Sequence, residues 1–343
     1  MKTDGWPEYF GIVYLPIILI GIVGNSLSFH IYRKFTKSTI SMMLYSLSFC
    51  DLLLLILALP VSSFSYLPIG NYKERYSIRR TIMAISGNFI YPLVVMAKTS
   101  SLYIIVVITI ERWIAVCRPL QVQVWCTYKR TVKIVISITI FSMIFNFPKF
   151  FEYSIRHHPS FGIWMEPGLL NDVDSPWYHI SYDIILSVIV DYLIPFTVMT
   201  VANYRVIHEL RRSTKRRETL TISQCKEQKT TIMLLVVTVL FGVCHFFTVI
   251  IKILECILEY QLQRTDLFEI AVKLSNMFII AHSSVTFFIY YNFSSKFRDS
   301  FFSIFKNSTD VMMKPDDLLP APVSKRSTRS TEVMPVDLTS CRV

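Results

Sequence analysis

Charged side chains make up only 17% of the 343 residues, while 52% are apolar. That is too little charge to cover the surface of a soluble protein, so the bilayer is the natural solvent. Groupings that would argue for catalysis are also missing. There is no Ser/His/Asp set, no paired-cysteine metal site and no phosphate loop, so no enzyme activity, cofactor or metal is expected. No repeat of fixed period suggests the inverted halves of a transporter.

What the chain does have is long apolar runs. A helix needs about 20 residues to cross roughly 30 Å of hydrocarbon, and seven stretches qualify, near 9–32, 40–66, 81–113, 131–152, 180–208, 228–255 and 268–291. The fold class expected is therefore an all-α seven-helix membrane bundle over 9–306. It includes an amphipathic helix over 294–306, with Phe297, Phe301 and Phe305 at helical spacing. Residues 1–8 form a short N-terminal segment. The Pro-, Ser- and charge-rich tail, 307–343, reads as disordered. The first run is too long for the core of a secretory signal, and no basic cluster precedes it, so it is expected to remain in the mature chain.

An odd number of spans puts the termini on opposite sides. The loops at 33–39, 114–133 and 205–229 hold 15 Lys/Arg against 3 Asp/Glu; the segments at 1–8, 67–80, 149–179 and 255–269 hold 8 against 11. Basic loops stay in the cytoplasm, which places Met1 outside. The basic stretch Lys73, Arg75, Arg79 and Arg80 runs against that assignment. Much of the formal charge of +11 then faces anionic lipid and acidic partners rather than nucleic acid. Both Asn-x-Ser/Thr sites, at Asn292 and Asn307, fall on the cytoplasmic side.

Polar residues within spans are functional hypotheses by default, and here they come in a particular order. Gly21, Gly24 and Asn25 lie in span one, and Leu47 and Asp51 in span two. Glu111-Arg112-Trp113 ends span three, with Pro119 after it, and Pro195 lies in span five. Span seven carries His282-Ser283-Ser284-Val285-Thr286-Phe287-Phe288-Ile289-Tyr290. Over residues 9 to 306 this order and spacing resemble the rhodopsin-like receptors. Within them the chain looks most like invertebrate FMRFamide-type neuropeptide receptors, on the strings Glu111 to Leu120, Trp125-Cys126-Thr127-Tyr128 and Ser283 to Tyr290. The resemblance implies a plasma-membrane receptor for an amidated peptide that activates a cytoplasmic heterotrimeric G protein.

It also assigns expected roles. Glu111, Arg112, Trp113, Pro119 and Tyr290 would form the coupling switch, in which Arg112 exchanges Glu111 for a G-protein helix or for Tyr290. Asn25, Asp51 and Ser101 match a sodium and water pocket, although Thr286 stands where the family usually has Asn. Lys98 lies 14 residues before Arg112, roughly 21 Å along the helix and at pocket depth. Two readings of Lys98 and Asp191 stay open. They can neutralise each other as a buried pair, or Asp191 and Asp183 can receive a cationic ligand group while Lys98 holds a carbonyl or carboxylate. His245, Lys252, Glu255 and Asn276 would line the same cavity. Ser324, Ser327, Thr328, Ser330 and Thr331 lie among basic residues, a pattern suited to phosphorylation and an arrestin-like partner.

The sequence departs from the family at several points. Gly87 stands where a cysteine usually ties span three to the second external loop, and 149–179 contains no cysteine. In span six, Phe241 and Cys244 match, but His245 and Phe247 replace the usual Trp and Pro. Phe287 and Asn203 replace the Pro of span seven and the Tyr of span five. Other functions compatible with the same fold are a chemosensory receptor for a small molecule and a receptor-shaped protein that no longer signals. A charged transport path through Lys98, Asp191 and Asp51 is a third.

Overall fold

The computed structural model describes residues 6–35, 38–63, 72–158, 162–170, 177–216, 222–257, 265–294 and 297–303. It contains seven helices long and apolar enough to cross a membrane: Phe10–Arg33, Thr39–Ser63, Ser77–Cys117, Tyr128–Phe151, Ile180–Arg212, Thr231–Leu254 and Leu267–Phe293. These are spans one to seven below. Their outward faces carry exposed Ile12, Val23, Ile140, Ile144, Val201 and Val243, an apolar belt of the kind hydrocarbon solvates. Their inward faces join in one large cluster that includes Leu47, Leu102, Ile105, Val237 and Tyr290.

Spans one and seven approach closely through glycine. A Cβ on Gly21 would collide with Ser284 Oγ, and one on Gly24 would lie 2.7 Å from Phe287 Cβ. The two glycines, three residues apart, give span one a smooth edge, as small-residue contacts do in lipid, where packing rather than solvent drives association.

Proline accounts for much of the irregularity. Pro60 sits in the widened π-type turn Leu59–Ser63 that ends span two, and Pro92 lies two residues past another at Ser86–Ile90. Span five is π-helical over His179–Leu186 and Val188–Leu193, then becomes α-helical at Ile194, next to Pro195. Pro195 has no N–H and crowds the preceding turn. In i→i+5 spacing the carbonyl left without a donor is that of Val190, and it accepts the Tyr103 hydroxyl of span three at 2.8 Å. Span six contains no proline, and its helix runs from Ile222 to Ile257 without interruption.

Two elements differ from the sequence expectation. Residues 67–80 read as a loop, but Tyr72–Ile85 is helical and extends span three outward, so Arg79 and Arg80 lie on a helix. The segment 149–179 holds an antiparallel hairpin of β1 (Tyr153–His158) and β2 (Gly162–Pro167), with Ile155 opposite Met165. Alternation of apolar and polar residues is too weak there to have announced strands. Of the amphipathic stretch 294–306, residues 297–303 are helical. Ser294 Oγ accepts from Phe297 N at 3.2 Å, and Arg298 donates to the Asn292 carbonyl at 2.7 Å. The start of this helix is thereby capped, and the end of span seven is closed by a cation. Phe297 is buried against Tyr32 and Tyr290. The tail 307–343 lies outside the described residues.

Replacing Tyr103 with Phe leaves the Val190 carbonyl without a donor in a dry environment. A loss of about 1 kcal/mol is expected, measured as a lower melting temperature of the purified protein in detergent. An unchanged melting temperature would show that the carbonyl finds another donor.

Candidate functional site

The sequence-selected residues fall into three groups along the bundle. At the face opposite the N-terminus, Glu111 and Arg112 end span three. The Arg112 guanidinium lies 3.6 Å from Glu111 Oε1, and the same oxygen accepts the Thr39 hydroxyl at 2.6 Å. Glu111 is therefore held from two sides, one of them the first turn of span two. Trp113 lies beneath the Arg118 guanidinium, 5.6 Å from it. Pro119 opens the short helix Pro119–Trp125, its missing N–H costing nothing at that position. Tyr290 is fully buried, edge-on to Tyr32 at 5.4 Å, and its hydroxyl has no partner. Arg112 and Tyr290 are not joined directly. Cys126, in the loop beside this group, has its thiol pushed up by burial and then by the Glu111 carboxylate, which keeps it in the unreactive protonated form.

In the middle, Asp51 Oδ1 accepts Ser101 Oγ at 2.7 Å and Ser283 Oγ at 3.4 Å. Asn25 Nδ2 donates to the Ser283 carbonyl at 2.8 Å. Asn25, Asp51 and Ser101 thus come together around Ser283. Asp51 Oδ2 and Asn25 Oδ1 remain buried without partners, so the cluster has spare acceptor capacity. Thr286 does not contribute, because its hydroxyl bonds the His282 carbonyl at 3.0 Å. No group of three or more potential metal-binding side chains occurs among the described residues.

The third group lies nearer the N-terminal face. Lys98 and Asp191 are not in direct contact, although each lies within Coulomb reach of the other, so the mutual neutralisation considered from sequence acts at a distance. Lys98 Nζ donates to the Tyr192 hydroxyl at 2.9 Å and lies 5.0 Å from that ring's centre. Asp191 Oδ1 instead accepts the Thr99 hydroxyl at 3.2 Å, and Thr99 in turn accepts Asn146 Nδ2 at 3.1 Å. The acid belongs to a buried link between spans three, four and five. One position in sequence explains the divergence, since successive residues of a helix point about 100° apart. His245 stacks on Phe241, centroids 4.0 Å apart, with Tyr192 at 6.3 Å and His282 at 6.0 Å. Lys252 lies seven residues further along span six and is half-buried. Asn276 does not join this group: its side chain is exposed, and the adjacent Ser275 takes the inward position and pairs with Thr248 at 2.8 Å. The side chains of Asp183 and Glu255 lie outside the described residues.

No disulfide joins span three to the hairpin. Gly87 instead makes room for Met165 of β2: a Cβ there would come within 2.6 Å of its sulfur. Lys149 and Glu152 form a buried ion pair at 2.9 Å, and Tyr178 donates to the same carboxylate at 3.1 Å. The Lys149 ammonium also faces the rings of Tyr182, at 5.5 Å, and Tyr91, at 5.8 Å. Burial and then the Glu152 carboxylate push the Tyr178 phenol well up from its ordinary range, so it stays a donor. Sequence reading missed this clamp, although its signal was present in two opposite charges three residues apart in an apolar setting.

Comparison with known proteins now has a geometry to attach to. The model of the 7 transmembrane receptor (rhodopsin family) matches residues 27–290. The chain belongs to the rhodopsin family of seven-transmembrane receptors. It is 38% identical over 298 residues to the FMRFamide peptide receptor frpr-18 of Caenorhabditis elegans, covering 85% of this chain and 68% of that one. It is 28% identical over 310 residues to the FMRFamide receptor of Drosophila melanogaster, covering 86% of this chain but 53% of the relative. Neuromedin-U receptor 2 of Homo sapiens is 23% identical over 308 residues, with 84% and 70% covered.

Since packing and a buried ion pair hold the hairpin in this receptor, reducing agent should leave its melting temperature unchanged, whereas Lys149→Met should lower surface expression several-fold by stranding Glu152. A melting temperature that falls on reduction would mean that a disulfide carries this load after all.

Proposed function

We propose that this receptor sits in the plasma membrane with its N-terminal face outside, binds an amidated neuropeptide there and activates a heterotrimeric G protein on the opposite face. The observation that carries the reading is the 38% identity to a named FMRFamide peptide receptor along 85% of the chain. The basic bias of the loops supports the orientation. Kinship with named peptide receptors also weighs against the small-molecule, transport and non-signalling alternatives.

The switch works as a set of competing partners. At rest Glu111 holds Arg112 at 3.6 Å and is itself held by Thr39, so the ends of spans two and three are tied. A ligand that favours the rearranged bundle frees Arg112 to meet backbone carbonyls of the G protein, and the ligand's differential affinity for the two arrangements sets the shift. Leu120, 93% exposed on the adjoining short helix, offers that partner an apolar contact. In this reading Asp51, Ser101, Asn25 and Ser283, joined by direct hydrogen bonds, form a polar relay between ligand and switch. Phosphorylation at Ser324, Ser327, Thr328, Ser330 and Thr331, outside the described residues, would recruit arrestin.

Cells expressing the receptor should respond to members of a library of amidated peptides, and Arg112→Ala should abolish the response at equal surface expression. Thr39→Val removes one restraint on Glu111 and should raise ligand-free G-protein activation a few-fold, by about 1 kcal/mol of lost hydrogen bonding. Silence across the library from a well-expressed receptor would sink the peptide reading.

A further inference from the structure

Spans five and six leave between them a crevice of about 610 Å³ that opens on the apolar belt facing hydrocarbon. Tyr204, Val239, Val243 and Phe246 on its rim are all exposed, while Met199 and Thr238 at its floor are buried. The crevice is thus continuous with the surface the bilayer covers, and only molecules dissolved in the membrane reach it. None of its lining residues is charged. Its polar groups gather at one end instead. Asn203 Nδ2 donates to Thr238 Oγ1 at 3.1 Å, and that hydroxyl is returned to the Leu234 carbonyl at 2.8 Å. The Asn203 side-chain oxygen and the Tyr204 hydroxyl have no hydrogen-bond partner among the described residues. Hydrocarbon supplies none, so groups of this kind call for one. Their depth is marked by Arg205, an exposed cation whose carbonyl meets the thiol of Cys117, the last residue of span three. The polar end therefore lies within a turn of the charged boundary opposite the N-terminal face. From there the crevice follows span five as far as Phe196 and span six as far as Phe247. At 1.5 Å per residue that is roughly 10–14 Å, the depth of one leaflet of the hydrocarbon core. Gly242 keeps the wall flat, with the Phe196 ring 3.2 Å from where a Cβ would stand, and Phe247, stacked on Phe278 at 4.8 Å, closes the far end.

We propose that this crevice binds a membrane sterol from the leaflet opposite the N-terminal face. The sterol hydroxyl donates to Asn203 Oδ1 and accepts from the Tyr204 hydroxyl, the fused rings lie flat on Gly242, and the tail reaches Phe246. The match is one of ends: a single uncharged donor and acceptor meets the polar end, and a rigid apolar body fills the rest. A phospholipid fits poorly. Its phosphate finds no cation in the lining, and its flexible chains must give up freedom that fused rings never had. The bound sterol touches both helices, so it favours this separation of spans five and six over one that closes the crevice.

The test uses the full-length receptor in phosphatidylcholine nanodiscs and needs neither peptide nor G protein, so its outcome is independent of the peptide-receptor reading. A cholesterol analogue with a photoreactive diazirine on its rings should label residues 196–207 and 238–247 above the other lipid-facing surfaces, as mapped by peptide mass spectrometry. Excess unlabelled cholesterol should remove that label, and cholesteryl methyl ether, which cannot donate, should compete about fivefold less well. This competition uses the wild-type protein and does not depend on any variant folding. Gly242→Leu fills the crevice from its flat wall and should abolish the specific label, and Asn203→Leu should erase the difference between cholesterol and its ether. Cholesterol should also raise the melting temperature of the wild type and leave that of Gly242→Leu unchanged. Label spread evenly over the lipid-facing helices, or displaced as well by the ether as by cholesterol, or surviving Gly242→Leu, would overturn the proposal and leave the crevice to acyl chains.

Discussion

Hydrocarbon offers no hydrogen bonds, so each polar side chain that span three carries into the bundle must find its partner inside the protein. Much of the architecture follows from how it does so. Lys98 reaches Tyr192; Thr99 links Asp191 and Asn146; Ser101 reaches Asp51; Tyr103 reaches the Val190 carbonyl; Glu111 takes Thr39. Five positions on one helix thereby reach spans two, four and five, and their order along the helix runs from the region proposed for the ligand to the region proposed for the G protein. A change in tilt or rotation of span three disturbs all of these bonds together. That is the physical basis for communication between the two faces, and it requires no contact between ligand and switch.

The seven spans were legible because their signal is long and redundant: about 20 apolar residues per crossing leave little room for another reading. Motif order likewise pointed to the family before any geometry was known. The cluster of Asn25, Asp51 and Ser101 could be anticipated, though its centre, Ser283, was not singled out. What the sequence did not convey was the partner of each charge. Lys98 and Asp191 are both buried and of opposite sign, so pairing them was reasonable. Their partners depend on the rotation of span five, which the π-helical turns before Pro195 alter by more than a residue count can reveal. Asn276 was assigned inward by analogy, whereas the inward contact belongs to Ser275 and Thr248. The hairpin was hidden for a different reason. Its position is set by packing on Gly87 and by the Lys149–Glu152–Tyr178 cluster, and such long-range contacts leave little periodicity in two six-residue strands.

The two ends of the bundle solve a similar problem with different chemistry. Near the N-terminal face, where many relatives in fold rely on a covalent tie, Met165 fills the space above Gly87 and a buried ion pair fixes the turn below the hairpin. A thioether lodged against glycine is adaptable, and the ion pair is costly to break but directional. The hairpin is therefore located by complementarity rather than by a bond. At the opposite face Glu111, Arg112 and Thr39 form a cluster whose cation is less deeply buried than Lys149 and whose ion pair, at 3.6 Å, is looser than the 2.9 Å pair of Lys149 and Glu152. Firm restraint lies where a binding cavity needs shape, and weaker restraint where a partner must be admitted.

Span six then presents the main mechanical question, because it has no proline and its backbone bonds run unbroken through His245 and Phe247. A helix without a hinge moves as a rod, so its freedom depends on what fastens it to its neighbours. Toward span five the fastening is slight: Asn203 Nδ2 donates to Thr238 Oγ1 at 3.1 Å, and Phe196 rests on Gly242. Between them lies an apolar crevice of about 610 Å³. Toward span seven it is tighter, through Thr248 with Ser275 and through the histidine pair. Opening of the G-protein face is thus easiest as a pivot of the whole helix about its contact with span seven, closing or widening the crevice beside span five. His245 and His282 sit on that axis, their rings 6.0 Å apart, so the contact about which the rod turns is one of side-chain packing rather than of backbone bonds.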